Sequence, residues 1–188
     1  MVQSLKPNEC LIAMLIVARI RSGNVSMVLI LDEILDHLFI GDEDDARNGA
    51  WLKKNNIRAI INCTTRVENC FEGQGIAYLR LMLEEWSHIT PEIAAQIHAF
   101  VREHRPKHGI LVHCAAGMQR APAIVIVILL QDHYKFFDAF ELVEKKRSGS
   151  ILPTYEMLAS IAQLDLNGEH VDDEAIKQYY RERFRLYF

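Results

Sequence analysis

Eight consecutive apolar residues, Ala123-Ile124-Val125-Ile126-Val127-Ile128-Leu129-Leu130, constrain this 188-residue chain more than any other stretch. A segment apolar on every side has to be enclosed on every side, so other elements must be layered around it. Upstream, Gly109-Ile110-Leu111-Val112 is a short apolar run that reads as a buried strand. Between the two runs lies His113-Cys114-Ala115-Ala116-Gly117-Met118-Gln119-Arg120-Ala121-Pro122. The β-branched residues after it would also suit a strand. Pro122 decides for a helix, because in a first turn its missing N–H has no partner to lose. The implied order is strand, tight loop, then a buried helix whose N-terminus points back at the loop.

The free N–H groups and positive pole of a helix N-terminus favour an anion, and favour a thiolate over a thiol. Five residues separate Cys114 from Arg120. A loop of that length can curl so that the backbone amides of Ala115, Ala116, Gly117, Met118 and Gln119 surround one tetrahedral anion. Arg120 would close the ring with a two-pronged contact to two of its oxygens. Gly117, in the middle of the curl, supplies backbone freedom where a side chain would crowd the ligand. Nucleophile, amide cradle and cation thus fall within one segment, with His113 as a supporting residue before it.

His113-Cys114-x5-Arg120 resembles the Cys-x5-Arg loop of the cysteine-dependent protein phosphatases, and the Ala115-Ala116-Gly117 filling resembles the dual-specificity branch. The order Ile34-Leu35-x-x-Leu38-Phe39-Ile40-Gly41, a helix, then Ile57-x-x-Ile60-Ile61-Asn62 is similar to the opening of that family's domain. The resemblance implies an α/β fold, a central mostly parallel sheet flanked by helices, of the protein tyrosine phosphatase type. It implies that Cys114 attacks phosphorus to give a phosphocysteine, that Arg120 binds the phosphoryl group and its transition state, and that water hydrolyses the intermediate. No metal or cofactor takes part.

Composition narrows the partners. A formal net charge of −4 and no dense Lys/Arg block leave no electrostatic footprint for nucleic acid or an anionic membrane. Four cysteines (Cys10, Cys63, Cys70, Cys114) show no metal-ligand spacing, which points to a reduced cytoplasmic or nuclear setting. Leu11 to Ile20 is apolar but too short to span a bilayer. It reads as a packed helix within an N-terminal extension over 1–26. The expected phosphatase domain covers 27–166, and a C-terminal helical extension covers 167–188. Both terminal helices are candidates for pairing with a second copy.

Within the domain, strands are expected at Met27–Ile30 and His37–Ile40, with Asp32, Glu33 and Asp36 in the turn between them. One helix is expected over Asp42–Asn55, with Ala46, Ala50 and Trp51 on one face. A central strand follows at Ala59–Cys63. Thr64–Gly75 is a short polar loop, and in the resembled family a short loop here goes with a shallow cleft that admits phosphoserine, phosphothreonine or phosphotyrosine. Cys70 within it reads as an incidental thiol, with a redox role toward Cys114 as the alternative. Ile76–Leu83 is strand-like. Thr90-Pro91-Glu92 starts a helix with a hydroxyl cap, a proline and an acid in the first turn. His98, His104 and His108 form no metal set. Lys146 and Arg147 read as the basic end of a later helix, and Thr154 as a helix cap where the family usually has Asn.

Phosphoester cleavage needs a proton for the departing oxygen, commonly from a carboxylic acid on a loop facing the nucleophile. Family members carry an Asp where alignment from Tyr78 puts Glu85, one methylene longer. Glu84 is the rival by one register, and His88 a further candidate. After Arg120 the family usually has Ser or Thr, whose hydroxyl helps the sulfur leave; here it is Ala121. Losing one such contact costs on the order of 1–3 kcal/mol, roughly tenfold to a hundredfold in that step. The favoured function is a dual-specificity protein phosphatase acting on a phosphoprotein. A phosphate-binding module with weak turnover, and a phosphatase of phosphoinositides or RNA 5′-phosphates, are the alternatives.

Overall fold

The computed structural model describes residues 32–184. Five strands, β1 (Asp32–Leu35), β2 (Leu38–Gly41), β3 (Ile57–Thr64), β4 (Ala77–Leu83) and β5 (Gly109–His113), form one sheet in the order β1-β2-β5-β3-β4. Only the β1–β2 pair is antiparallel. The helices are α1 (Glu43–Arg47), α2 (Gly49–Lys54), α3 (Pro91–His104), α4 (Arg120–Gln131), α5 (Phe136–Lys146), α6 (Tyr155–Ala162) and α7 (Asp173–Phe184).

Strand alternation sorts the core into two layers. Leu38, Ile40, Ala59, Ile61, Ile110 and Val112 face the larger layer, which contains α4. Phe39, Ile60 and Leu111 face the smaller one, which includes Ala46 of α1 and Leu52 of α2. Residues Ala121–Leu130 of α4 are all buried. Its five β-branched residues in a row each cost a helix less than about 1 kcal/mol, whereas burying each contributes roughly 1.5–3 kcal/mol. Burial on all sides therefore outweighs the strand propensity of that run. Because β2, β5, β3 and β4 are parallel, their carboxyl ends meet at one edge, where an open α/β sheet places its ligands.

Two expectations need correction. Among the described residues the first strand is Asp32–Leu35, where turn acids were expected; the turn is Asp36-His37, with His37 at φ 64°. Ile34 is buried there, and Asp32 accepts from Arg147 and Ser148. Met27–Ile30 and Leu11–Ile20 lie outside the described residues. Asp42–Asn55 is two helices, because Asn48 leaves helical geometry and its side chain accepts from the Trp51 amide, capping a new start. Ala50 is consequently exposed, and Leu52 is the buried residue. Arg147 does stand at the basic C-terminal end of α5, as its cap, but its side chain turns inward, 1% exposed and paired with Asp32 at 3.3 Å.

The segment after α6 is tied to the rest. Asn167 donates to the Tyr134 carbonyl at 2.7 Å, and Glu169 accepts the Phe136 amide at 2.7 Å, at the start of α5. Helix α7 buries Ile176 and Tyr180, and Tyr179 stacks against Phe137 and Phe140 of α5. Its apolar face is turned to its own chain. Among the described residues no helix is long and apolar enough to cross a membrane.

Candidate active site

Strand β5 ends at His113, and α4 begins at Arg120, so residues 114–119 form the expected loop. Two of its carbonyls are held from outside: Ala115 O accepts the Glu43 amide at 3.2 Å and Met118 O accepts the Leu152 amide at 2.7 Å. In a trans peptide the N–H points opposite to the C=O, so those bonds turn the Ala116 and Gln119 amides toward the other side of the loop. Gly117 sits at φ +66°, and a Cβ there would come within 2.7 Å of the Gly41 carbonyl and collide with Arg147. Only glycine fits, through both its conformation and its contacts. The Gln119 side chain does not cap α4, which leaves the first turn open toward the loop.

Cys114, the first residue of the loop, is 2% exposed. Arg120 donates through Nη1 to Leu83 O at 3.1 Å, while its buried Nε has no hydrogen-bond partner among the described residues. A guanidinium half engaged with protein in this way keeps a donor for an incoming anion. Ala121 is completely buried.

Beneath the loop the polar groups are enclosed. Burial holds His113 down to a pKa of about 4, against the weaker opposing effects of its bond to Cys114 O and of the Asp42 charge. Neutral imidazole donates through Nδ1 to the Cys114 carbonyl at 3.4 Å. Asp42 caps α1 and Asp45 returns the bond to the Asp42 amide at 2.9 Å. Burial, with the Asp42 charge adding to it, raises the Asp45 pKa to about 6, while the Asp42 amide and Arg147 pull the other way. Arg147 reaches Ile40 O at 3.4 Å and lies against Gly117, so a buried cation backs the loop.

The mouth is a cleft of about 330 Å³ lined by Thr64, Thr65, Arg66, Val67, Glu84, Glu85, Trp86, Ala115 and Arg120. One wall is built on Asn62, fully buried, whose amide donates to Val67 O and Asn69 Oδ1 and accepts from Thr64 N and Oγ1. Arg80 straps the same wall through Thr64 O and Thr65 O. On the other side, Met82 adopts φ 52° in β4, and the pairing of β3 with β4 shifts register between Asn62 and Thr64. This irregularity is where Leu83 presents its carbonyl to Arg120.

Glu84 and Glu85 both line the cleft, but in different ways. Glu84 is half-buried and its Oε1 accepts from Thr65 Oγ1 at 3.0 Å, across the cleft. Glu85 is exposed; the bond made at that residue is through its carbonyl, which accepts from Thr154 Oγ1 at 3.1 Å. Of the two carboxyls, that of Glu84 is the one bonded to another residue of the cleft wall. His88 is exposed and does not line the cleft. Cys70 is exposed and also absent from the lining. Cys63, fully buried at the end of β3, is the thiol that senses Cys114: burial first, then the Cys114 charge, push its pKa up, against Arg120. His104 and His108 stack on each other, away from the loop. Sequence reasoning missed Thr65, Arg147 and Asn62; the Asn62-x-Thr64 pairing at a strand end was the one local signal for the wall.

The family model of the dual specificity phosphatase catalytic domain matches residues 38–165. Human dual specificity protein phosphatase 9 is 30% identical over 137 residues, 71% of this chain and 35% of that protein. The chain spans about a third of the length of the curated relatives it matches first. Among solved structures, the human tyrosine phosphatase-like serine/threonine/tyrosine-interacting protein superposes with a TM-score of 0.63 at 24% identity, covering 72% of this chain and 95% of that one. Human DUSP28 gives 0.62 at 18% identity, covering 72% and 92%. These two likenesses concern the fold.

Proposed function

The chain belongs to the dual specificity phosphatase family, and from that premise we propose that it hydrolyses phosphotyrosine and phosphoserine or phosphothreonine in protein substrates through a phosphocysteine intermediate. The observation that carries the reading is the conjunction of Cys114 with a buried Arg120 Nε that has no partner among the described residues, at the two ends of a loop with two carbonyls tied outward. Cys114 Sγ attacks phosphorus as the ester P–O bond breaks. Amides of residues 115–119 and the Arg120 guanidinium hold the three equatorial oxygens, where charge builds in the transition state. The departing oxygen takes its proton from Glu84. The resulting carboxylate then accepts a proton from the water that attacks phosphocysteine, and inorganic phosphate leaves with the thiolate restored.

The small loop over residues 65–76 and the open cleft suit a phosphorylated side chain of any of the three kinds. The loop residues Ala115, Ala116, Met118 and Gln119 bring no second cation, and the mouth adds the single Arg66 to Arg120, short of the cluster of cations that a multiply phosphorylated lipid or RNA end calls for; this favours protein substrates. A thiolate nucleophile works in a reducing compartment, so the proposed setting is cytoplasmic or nuclear, with dephosphorylation in signalling as the role. Cys114→Ser tests the reading directly. It should abolish hydrolysis of an aryl phosphate while the folded protein still binds vanadate or tungstate; retained turnover would remove Cys114 as nucleophile.

A further inference from the structure

The loop carrying the proton donor, residues 84–89, is attached to α6 at two points. Thr154, the cap of α6, donates its hydroxyl to Glu85 O at 3.1 Å while accepting the Met157 amide at 3.4 Å. Ser160, two turns on, accepts the buried Ile89 amide at 2.9 Å and donates to Met157 O at 2.7 Å. Each hydroxyl therefore has one partner on the helix and one on the loop. Between the two anchors the loop closes on itself, Glu84 N–H donating to Ser87 Oγ at 2.9 Å. The peptide that Thr154 holds is the one immediately after Glu84-Glu85, so it bears on which way the Glu84 side chain leaves the chain.

We propose that Thr154 and Ser160 are positioning residues for the proton donor: α6 is a platform that clamps the acid loop so that Glu84 faces the cleft. The inference rests on the phosphatase reading above. Neither residue touches the substrate. A proton donor must sit within hydrogen-bond reach of the departing oxygen, and a six-residue loop without its clamps samples positions beyond that reach. The clamps therefore act on P–O cleavage in proportion to how much the leaving group needs a proton.

The test is kcat/KM for a series of aryl phosphates from good to poor leaving groups, because this parameter includes P–O cleavage whichever later step limits kcat. Wild type, Thr154→Val, Thr154→Ser and Ser160→Ala are compared at a temperature where thermal melts show each to be folded. Thr154→Val and Ser160→Ala should lose roughly tenfold on the poorest leaving group and little on the best, part of the 10²–10⁴ that general acid catalysis supplies. Thr154→Ser, which keeps the hydroxyl, should restore the wild-type slope. A uniform loss across the series, or no loss, overturns the inference while leaving the phosphatase reading intact. Absence of Cys114-dependent turnover in the wild type overturns both.

Discussion

The Arg120 guanidinium donates to the Leu83 carbonyl at 3.1 Å, linking the first residue of α4 to the last residue of β4. The next residue, Glu84, turns its carboxyl to Thr65 across the cleft. One bond thus couples the phosphate-binding cation to the start of the acid loop, and the two halves of the proposed chemistry share a single backbone joint.

Glu84→Gln should lower kcat/KM for poor leaving groups by roughly 10²-fold and far less for a good one, since the good leaving group departs without a proton. Glu85→Gln should change the leaving-group dependence little. The reverse ranking would assign the role to the exposed Glu85.

Ala121→Ser puts a hydroxyl at a fully buried position beside the loop. It should speed breakdown of phosphocysteine roughly tenfold, read in rapid-mixing experiments as a smaller burst and a faster steady state. An unchanged burst would mean that hydrolysis of the intermediate is not the slow step.

Asp32→Ala removes the acceptor of Arg147 Nη1 and of the Ser148 amide and hydroxyl. Taking one hydrogen-bonded acceptor from a buried guanidinium should cost about 2–3 kcal/mol in denaturant unfolding and should weaken oxyanion binding, because Arg147 backs Gly117. Full stability in the variant would show that the pair contributes no net energy.

Two buried groups beneath the loop have opposing pH dependences. His113, held at about 4 instead of 6.5, leaves the unfolded chain with the extra proton between those values. The stability it contributes is complete above pH 6.5 and is lost as the pH falls to 4. Asp45, raised from 3.8 to about 6, gives the folded chain the extra proton, so its contribution is present at low pH and lost as the pH rises through 6. Over their common window the slopes offset. Asp45→Asn should therefore make stability fall more steeply on acidification than in the wild type, in urea titrations between about pH 6.5 and 4. Parallel curves for the two proteins would refute the Asp45 assignment.

The strand, loop and buried helix around Cys114 were legible because they are local: an apolar run, a spacing of five residues and a proline act within one turn of chain. Thr90 and Thr154 were legible as caps for the same reason, since each bonds an amide three residues on. Asp32 was misread as a turn residue because the partner that holds it in a strand, Arg147, is 115 positions away.

The same division runs through the site. From residue order alone came the expectation of a thiol and a guanidinium at the two ends of a glycine curl, since it rests on nearest-neighbour geometry. How two adjacent glutamates are held at the cleft was decided only in three dimensions. Neighbouring residues leave an extended chain on opposite sides, and here the Glu84 carboxyl meets the hydroxyl of Thr65, 19 residues away, while α6 holds the Glu85 carbonyl across 69 residues, contacts that leave no periodic trace.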